Sequence, residues 1–142
     1  MRVVGFILGI FAVMWGFILG GDVGKLFDYY TFAILVLGAF SFTFMGHGGE
    51  LWTALRAAIG DPVEDAEKRE RYAKILHTLR RSFLWFGFGL AFVGGSNMAT
   101  HMDDLTHFGP ALGVLLLSPL YGIVFAQLLL APLINRMELA QR

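Results

Sequence analysis

The sequence predicts an all-α membrane protein with four transmembrane helices, the third of them extended into the cytoplasm, and three features carry that prediction. Charged residues leave uninterrupted gaps from Arg2 to Asp22, Asp28 to Glu50, Arg81 to Asp103 and Asp104 to Arg136. Each gap is of membrane-spanning length, roughly 18 residues or more. With the N-terminus in the cytoplasm, every Lys and Arg except Lys25 falls on the inner side, which is the bias that orients helical membrane proteins. Finally, 56% of the 142 residues are hydrophobic and only 15% are charged, a composition outside that of soluble domains. The expectation is one membrane domain over residues 1–142, multi-pass, with both termini cytoplasmic.

Span 1 is expected over about residues 3–20. Gly5, Gly9, Gly16 and Gly20 recur at near-helical spacing, so two small-xxx-small notches would let a neighbouring backbone approach. No small-x-small cleavage site follows the opening Met-Arg-Val-Val, and Trp15, Phe17 and Ile18 prolong the apolar run past a signal-peptide core, so the span is expected to be retained. The outer turn places Tyr29 and Tyr30 at headgroup depth. Span 2 is expected over about residues 31–46, closed by Gly46-His47-Gly48-Gly49, where glycine loosens a helix. Trp52 reads as an interfacial anchor.

A cytoplasmic helix is expected over about residues 61–81, with Asp61 as cap, Pro62 at the first helical position and Glu64 completing a capping box. Glu64 with Lys68, Glu67 with Arg71 and Glu70 with Lys74 are spaced four apart, acid first, and each pair adds roughly 0.2–0.5 kcal/mol. No breaker intervenes before Gly87, so this helix should run on into span 3, about residues 82–98, with Asp61 to about Phe92 forming one rod on the order of 45 Å long at 1.5 Å per residue. Gly94-Gly95-Ser96-Asn97 reads as its end. Span 4 is expected over about residues 110–134, opened by Gly109-Pro110. Pro119 inside it removes a backbone hydrogen bond, should kink the helix and leaves a carbonyl in need of a partner, for which Ser118 is adjacent.

Several chemistries are excluded or disfavoured. There is no cysteine, which removes disulfides, thiolate zinc sites, iron–sulfur ligation and a cysteine nucleophile. The cations of the inner loop alternate with Glu64, Asp65, Glu67 and Glu70, so no basic stripe for nucleic acid forms. No span carries a nucleophile with its base, a carboxylate pair or a metal box, so an enzyme is not expected. Span interiors hold no Asp, Glu, Lys or Arg, so an intramembrane proton carrier would have to come from another polypeptide. His101, Asp103, Asp104 and His107 form the densest group of outer-mouth proton acceptors or metal ligands. The two histidines stand six apart, which does not place them on one helical face, so a solvated loop is the default reading and no metal is expected. His47 and His77 share the inner boundary, the depth match that axial haem ligation needs, yet no cofactor is expected.

Span 4 resembles the MotA/TolQ/ExbB superfamily, and MotA-like ion-channel subunits of flagellar stators in particular. Their last span follows a short acidic outer loop and reads approximately G-P-x-L-x-V-x-L-L-x-x-x-Y-G-x-x-x-A, then a proline and a cationic exit. Gly109, Pro110, Leu112, Val114, Leu116, Leu117, Tyr121, Gly122, Ala126, Pro132 and Arg136 stand in those places. Gly9, Gly20, Gly21, the Gly24-Lys25-Leu26 turn and the run Ile34 to Gly38 resemble the MotA entry.

The resemblance implies a proton channel subunit of a bacterial inner membrane, forming a homo-oligomeric ring of five around a single-span partner that carries an intramembrane carboxylate. Ion flow would be coupled to ring motion, with spans 3 and 4 lining the central hole, Ser118, Pro119, Tyr121, Gly122 and Asn97 on the ion path, and spans 1 and 2 facing lipid. The chain departs from the pattern in two respects. It has Pro119 where MotA-like proteins place a threonine and lacks their span 3 proline, and their large rotor-gripping domain is reduced to the short stretch between spans 2 and 3. A non-conducting oligomeric membrane scaffold of the same fold is therefore the alternative, and driving an ordinary flagellar rotor is not expected.

Overall fold

The computed structural model describes residues 7–9, 11, 15, 28–60, 63 and 65–139, and every regular element named among them is helical. In chain order these are α1 (Tyr29–His47), α2 (Glu50–Ile59), α3 (Ala66–Thr100), α4 (Leu105–Val124), a π-helical segment (Phe125–Leu130) and α5 (Ala131–Leu139). Two continuous helices, Tyr29–His47 and Thr106–Leu139, are long and apolar enough to cross a membrane. They occupy the stretches expected for spans 2 and 4. Most of the first expected span lies outside the described residues; within it Gly9 abuts Leu128 of the π segment.

Asp28 starts α1, its carboxylate accepting from the Tyr30 amide at 3.1 Å and from the Thr31 hydroxyl. The helix stops where glycine permits a left-handed backbone. Gly48 has φ +55° and its N–H reaches Phe44 O at 2.7 Å, the usual way a C-terminal carbonyl is satisfied. The following α2 was not anticipated as a separate element. It is amphipathic, burying Leu51, Ala54 and Ala58, and Arg136 of α5 donates to Ile59 O and Gly60 O at 3.3 and 3.0 Å. A cation thereby satisfies the carbonyl end of α2.

The long rod is present but both its ends differ from expectation. Asp61, Pro62 and Glu64, the expected start, lie outside the described residues, while Val63 is non-helical and the helix begins at Ala66. Asp65 takes the capping role by accepting from Glu67 N at 3.1 Å, and the Arg69 guanidinium takes Val63 O at 3.0 Å. At the other end α3 continues through Gly94-Gly95 to Thr100. Its 35 residues span about 52 Å at 1.5 Å per residue.

Of the expected charge ladder, Glu70–Lys74 forms at 2.6 Å. Arg71 reaches across to Glu50 of α2 at 2.6 Å instead, and Lys68 pairs with Asp65 at 3.6 Å. Both pairs are exposed and contribute little stability; Arg71–Glu50 links α3 to α2, whereas Lys68–Asp65 is local to the start of α3.

Helix α4 begins at Leu105 rather than Pro110, because Asp104 accepts from the Thr106 amide at 2.9 Å and from its hydroxyl at 2.6 Å. Pro110 and Pro119 both sit inside the helix. The break in regular α geometry falls later, at Phe125–Leu130, where Ala131 N–H closes an i→i−5 turn on Ala126 O. Pro132 follows directly. It has no N–H to close an α-turn on Leu128 and its ring crowds that carbonyl, and a wider turn relieves the conflict.

The core lies where α1, α2, α3, the π segment and α5 meet. Leu35, Leu51, Leu76, Leu79, Phe83 and Ile134 are almost wholly enclosed there. Phe83 stacks on Phe125 with ring centroids 5.1 Å apart and meets Phe40 edge-on at 6.1 Å. Towards the end where α3 turns into α4 the described residues belong to α1, α3 and α4, and among them large apolar side chains such as Leu37, Phe42, Trp85, Phe88, Phe92 and Leu116 are exposed.

Candidate functional site

Two places gather the candidate residues: the seam where α3 crosses α4, and the outer end. The seam is made by small residues. A methyl built on Gly94 would lie 2.5 Å from Leu115 N and 2.9 Å from Ala111 O; one on Gly87 would lie 2.8 Å from Ser118 O; one on Gly122 would lie 2.7 Å from Phe83 O. Two backbones are thus in direct contact, the arrangement that substitutes for hydrophobic driving force where the surroundings are as apolar as the side chains.

Ser118, Pro119 and Gly122 fall on this seam, whereas Tyr121 meets Asp28 and Phe32 on the α1 side. Ser118 is completely enclosed, and its hydroxyl donates to Val114 O on its own helix. That carbonyl is one residue before Leu115, whose usual donor Pro119 removes, so Ser118 does not satisfy the carbonyl that the proline frees. The Tyr121 side chain is nearly buried, and its hydroxyl oxygen accepts from the Asp28 amide at 3.1 Å, tying α4 to the first residue before α1. Pro119 is half-buried and Asn97 is exposed. These five residues therefore do not share one surface.

At the inner half Thr43 is enclosed as well, donating to Ala39 O at 2.9 Å and lying 3.3 Å from Ser82 Oγ. His47 Nε2 meets Thr78 Oγ1 at 3.2 Å, whereas His77 Nε2 meets Glu138 Oε1 at 2.9 Å. The two imidazoles are engaged by different elements and do not converge on a common ligand.

The outer cluster is more coherent than its spacing implied. The turn from His101 to Asp104 folds α4 back along α3 and brings the His101 and His107 rings to a centroid separation of 5.3 Å. His101 Nδ1 lies 3.0 Å from Thr100 Oγ1 and from Asn97 O, and His107 Nε2 lies 3.7 Å from Asp104 Oδ2. Asn97, His101 and His107 join Asp28 and Thr31 in lining an open cavity of about 500 Å³. Asp103 is exposed beside it. Among the described residues no group of three His, Cys, Asp or Glu side chains is placed to hold a metal ion. The cavity gathers hydrogen-bonding groups at the end of otherwise apolar helices. Helical spacing missed the histidine pair because a turn, and not a shared helix face, brings it together.

The Asp104 carboxyl is held below its ordinary value of 3.8 chiefly by the Thr106 hydroxyl, then by the Thr106 amide. A lowered folded pKa stabilises the capped turn at any pH above the unfolded value, and that contribution is lost as pH falls through the folded value. Amide-exchange protection in the first turn of α4 is therefore expected to hold from neutral pH to near 4 and to fall as pH drops below 3.8, the ordinary carboxyl value. Asp104→Asn, which cannot ionise, should remove that acid step; an unchanged step in this variant would assign it to another carboxylate.

No protein-family model and no curated protein matches this chain.

Proposed function

We propose that this chain is a four-span subunit of a bacterial inner-membrane ion channel of the MotA-like type, assembled as a homo-oligomeric ring of five around a single-span partner that supplies the intramembrane carboxylate. Ion passage along that partner would be coupled to motion of the ring. The observation that carries the reading is the combination of the exposed apolar belt on α1, α3 and α4 with the absence of any acidic or basic residue inside it. Such a belt needs lipid or neighbouring helices as its surroundings. A wall with no ionisable group of its own conducts protons only if another helix carries them.

The placement of the candidate residues refines their roles within this proposal. Ser118, Tyr121 and Gly122 stand behind the wall, holding α3 to α4 and α4 to α1, while Asn97 and the His101–His107 pair stand at its outer opening. The Lys and Arg bias supports an orientation in which α2, the start of α3 and α5 would face the cytoplasm.

The test is purification of the complex from its native membrane, followed by subunit counting and identification of what fills the axis. Five copies around a foreign helix bearing Asp or Glu are expected. A ring with an empty or lipid-filled axis would favour the alternative, a non-conducting scaffold, and a monomer would overturn both. In proteoliposomes holding the complex, Ser118→Ala should retain ion flux, because its hydroxyl bonds within α4. Loss of flux with the assembly intact would return Ser118 to the ion path.

A further inference from the structure

We propose that the groove between α1 and α3 binds an anionic phospholipid of the inner leaflet, Arg81 holding the headgroup phosphate and the aromatic wall above it holding an acyl chain. The inference rests on the membrane reading above. The groove has a volume of about 600 Å³ and is lined by Phe42, Trp85, Leu90 and Val93, with Arg81 and Ser82 at its lower end. That volume lies within the range of ligand sites, roughly 300–1,000 Å³. From Arg81 to Val93 the helix rises about 18 Å at 1.5 Å per residue, close to the roughly 15 Å that one leaflet contributes to a 30 Å hydrocarbon core.

Charge argues for the headgroup. Arg80, its neighbour, is turned inward and donates to Gln127 Oε1 at 2.8 Å. Arg81 faces the groove and has no hydrogen bond or ion pair among the described residues, and no carboxylate lines the groove. A guanidinium at the lip of an apolar slot is geometrically matched to a phosphodiester, and anionic lipids of the cytoplasmic leaflet are the abundant source of one at that depth. Among the described residues nothing fills the groove, and a side chain added at Gly89, on its floor, would meet none of them within 4 Å.

The experiment uses the full chain with Trp15→Phe and Trp52→Phe, so that Trp85 is the sole indole, in phosphatidylcholine bilayers doped with an equal small fraction of either brominated phosphatidylglycerol or brominated phosphatidylcholine. Quenching of Trp85 should favour the anionic lipid by about fivefold, the share of one surface cation. Arg81→Gln should bring the two lipids level, and Gly89→Leu, which fills the slot in open space, should reduce quenching by both. Equal quenching in the parent chain, or a preference that survives Arg81→Gln, would overturn the site. So would competition by inorganic phosphate, which would make Arg81 a soluble-anion contact, or cross-linking of Trp85-site cysteines between copies, which would make the groove a subunit interface. A chain that alkaline carbonate strips from membranes defeats the membrane reading itself, a result distinct from an embedded chain without lipid preference.

Discussion

Replacing Gly94 with leucine is expected to separate α3 from α4 and abolish the folded bundle. The obstacle is backbone, since a Cβ at this position would stand 2.5 Å from Leu115 N and 2.9 Å from Ala111 O, and neither atom can rotate away as a side chain would. The same holds at Gly122, 2.7 Å from Phe83 O. Overpacking an ordinary core site costs roughly 1–3 kcal/mol because neighbouring side chains adjust. Here the helices themselves must part, and every contact along the seam is loosened with them. Size-exclusion profile and helix content after detergent extraction provide the readout. Gly113→Leu is the control, because a side chain there meets none of the described residues within 4 Å. A Gly94→Leu protein as stable and monodisperse as the Gly113→Leu control would show that the crossing is not as close as described.

Truncating Phe83 to alanine should produce the second large loss. This ring is 2% exposed and joins three elements by stacking on Phe125 and meeting Phe40 edge-on. In water such a truncation costs about 3–5 kcal/mol. Part of that figure is transfer out of water, which contributes little where the unfolded reference remains in lipid. What remains is the lost dispersion and the cavity, so the lower end, about 3 kcal/mol, is expected. Phe83→Leu should recover most of it by refilling the space. Thermal unfolding in detergent for the three proteins measures the order, and an alanine variant no less stable than the leucine one would show that the ring is not a packing centre.

These two residues also mark how far the sequence could be read. Phe83 is one of many phenylalanines, and nothing in its spacing separates it from Phe88 or Phe92, which face outward. Burial at that position is set by where α1 and the π segment arrive, and those are long-range events. Gly94 was readable in principle. Gly87 and Gly94 are seven apart, as are Ala111 and Ser118, a spacing that keeps small residues on one stripe of each helix. Locally the Gly94-Gly95 pair reads equally well as a helix end, because glycine serves both purposes and only the partner helix distinguishes them. Similarly, Gly109-Pro110 looked like the start of span 4, and the cap supplied by Asp104 and Thr106 prevailed because it satisfies an amide that proline merely lacks.

Helical character, the extent of the apolar stretches at Tyr29–His47 and Thr106–Leu139 and the length of the rod leading into residues 82–98 follow from local order along the chain: charge gaps, caps and propensity act over a few residues and need no partner. Which small residues become a seam, that Ser118 and Tyr121 are enclosed, that the His101 and His107 rings meet and that Arg81 is left facing an open groove depend on which faces come together. Contact between residues distant in the chain is a property of shape, and in an apolar environment, where burial offers little preference among faces, close backbone approach and hydrogen-bond satisfaction make the choice.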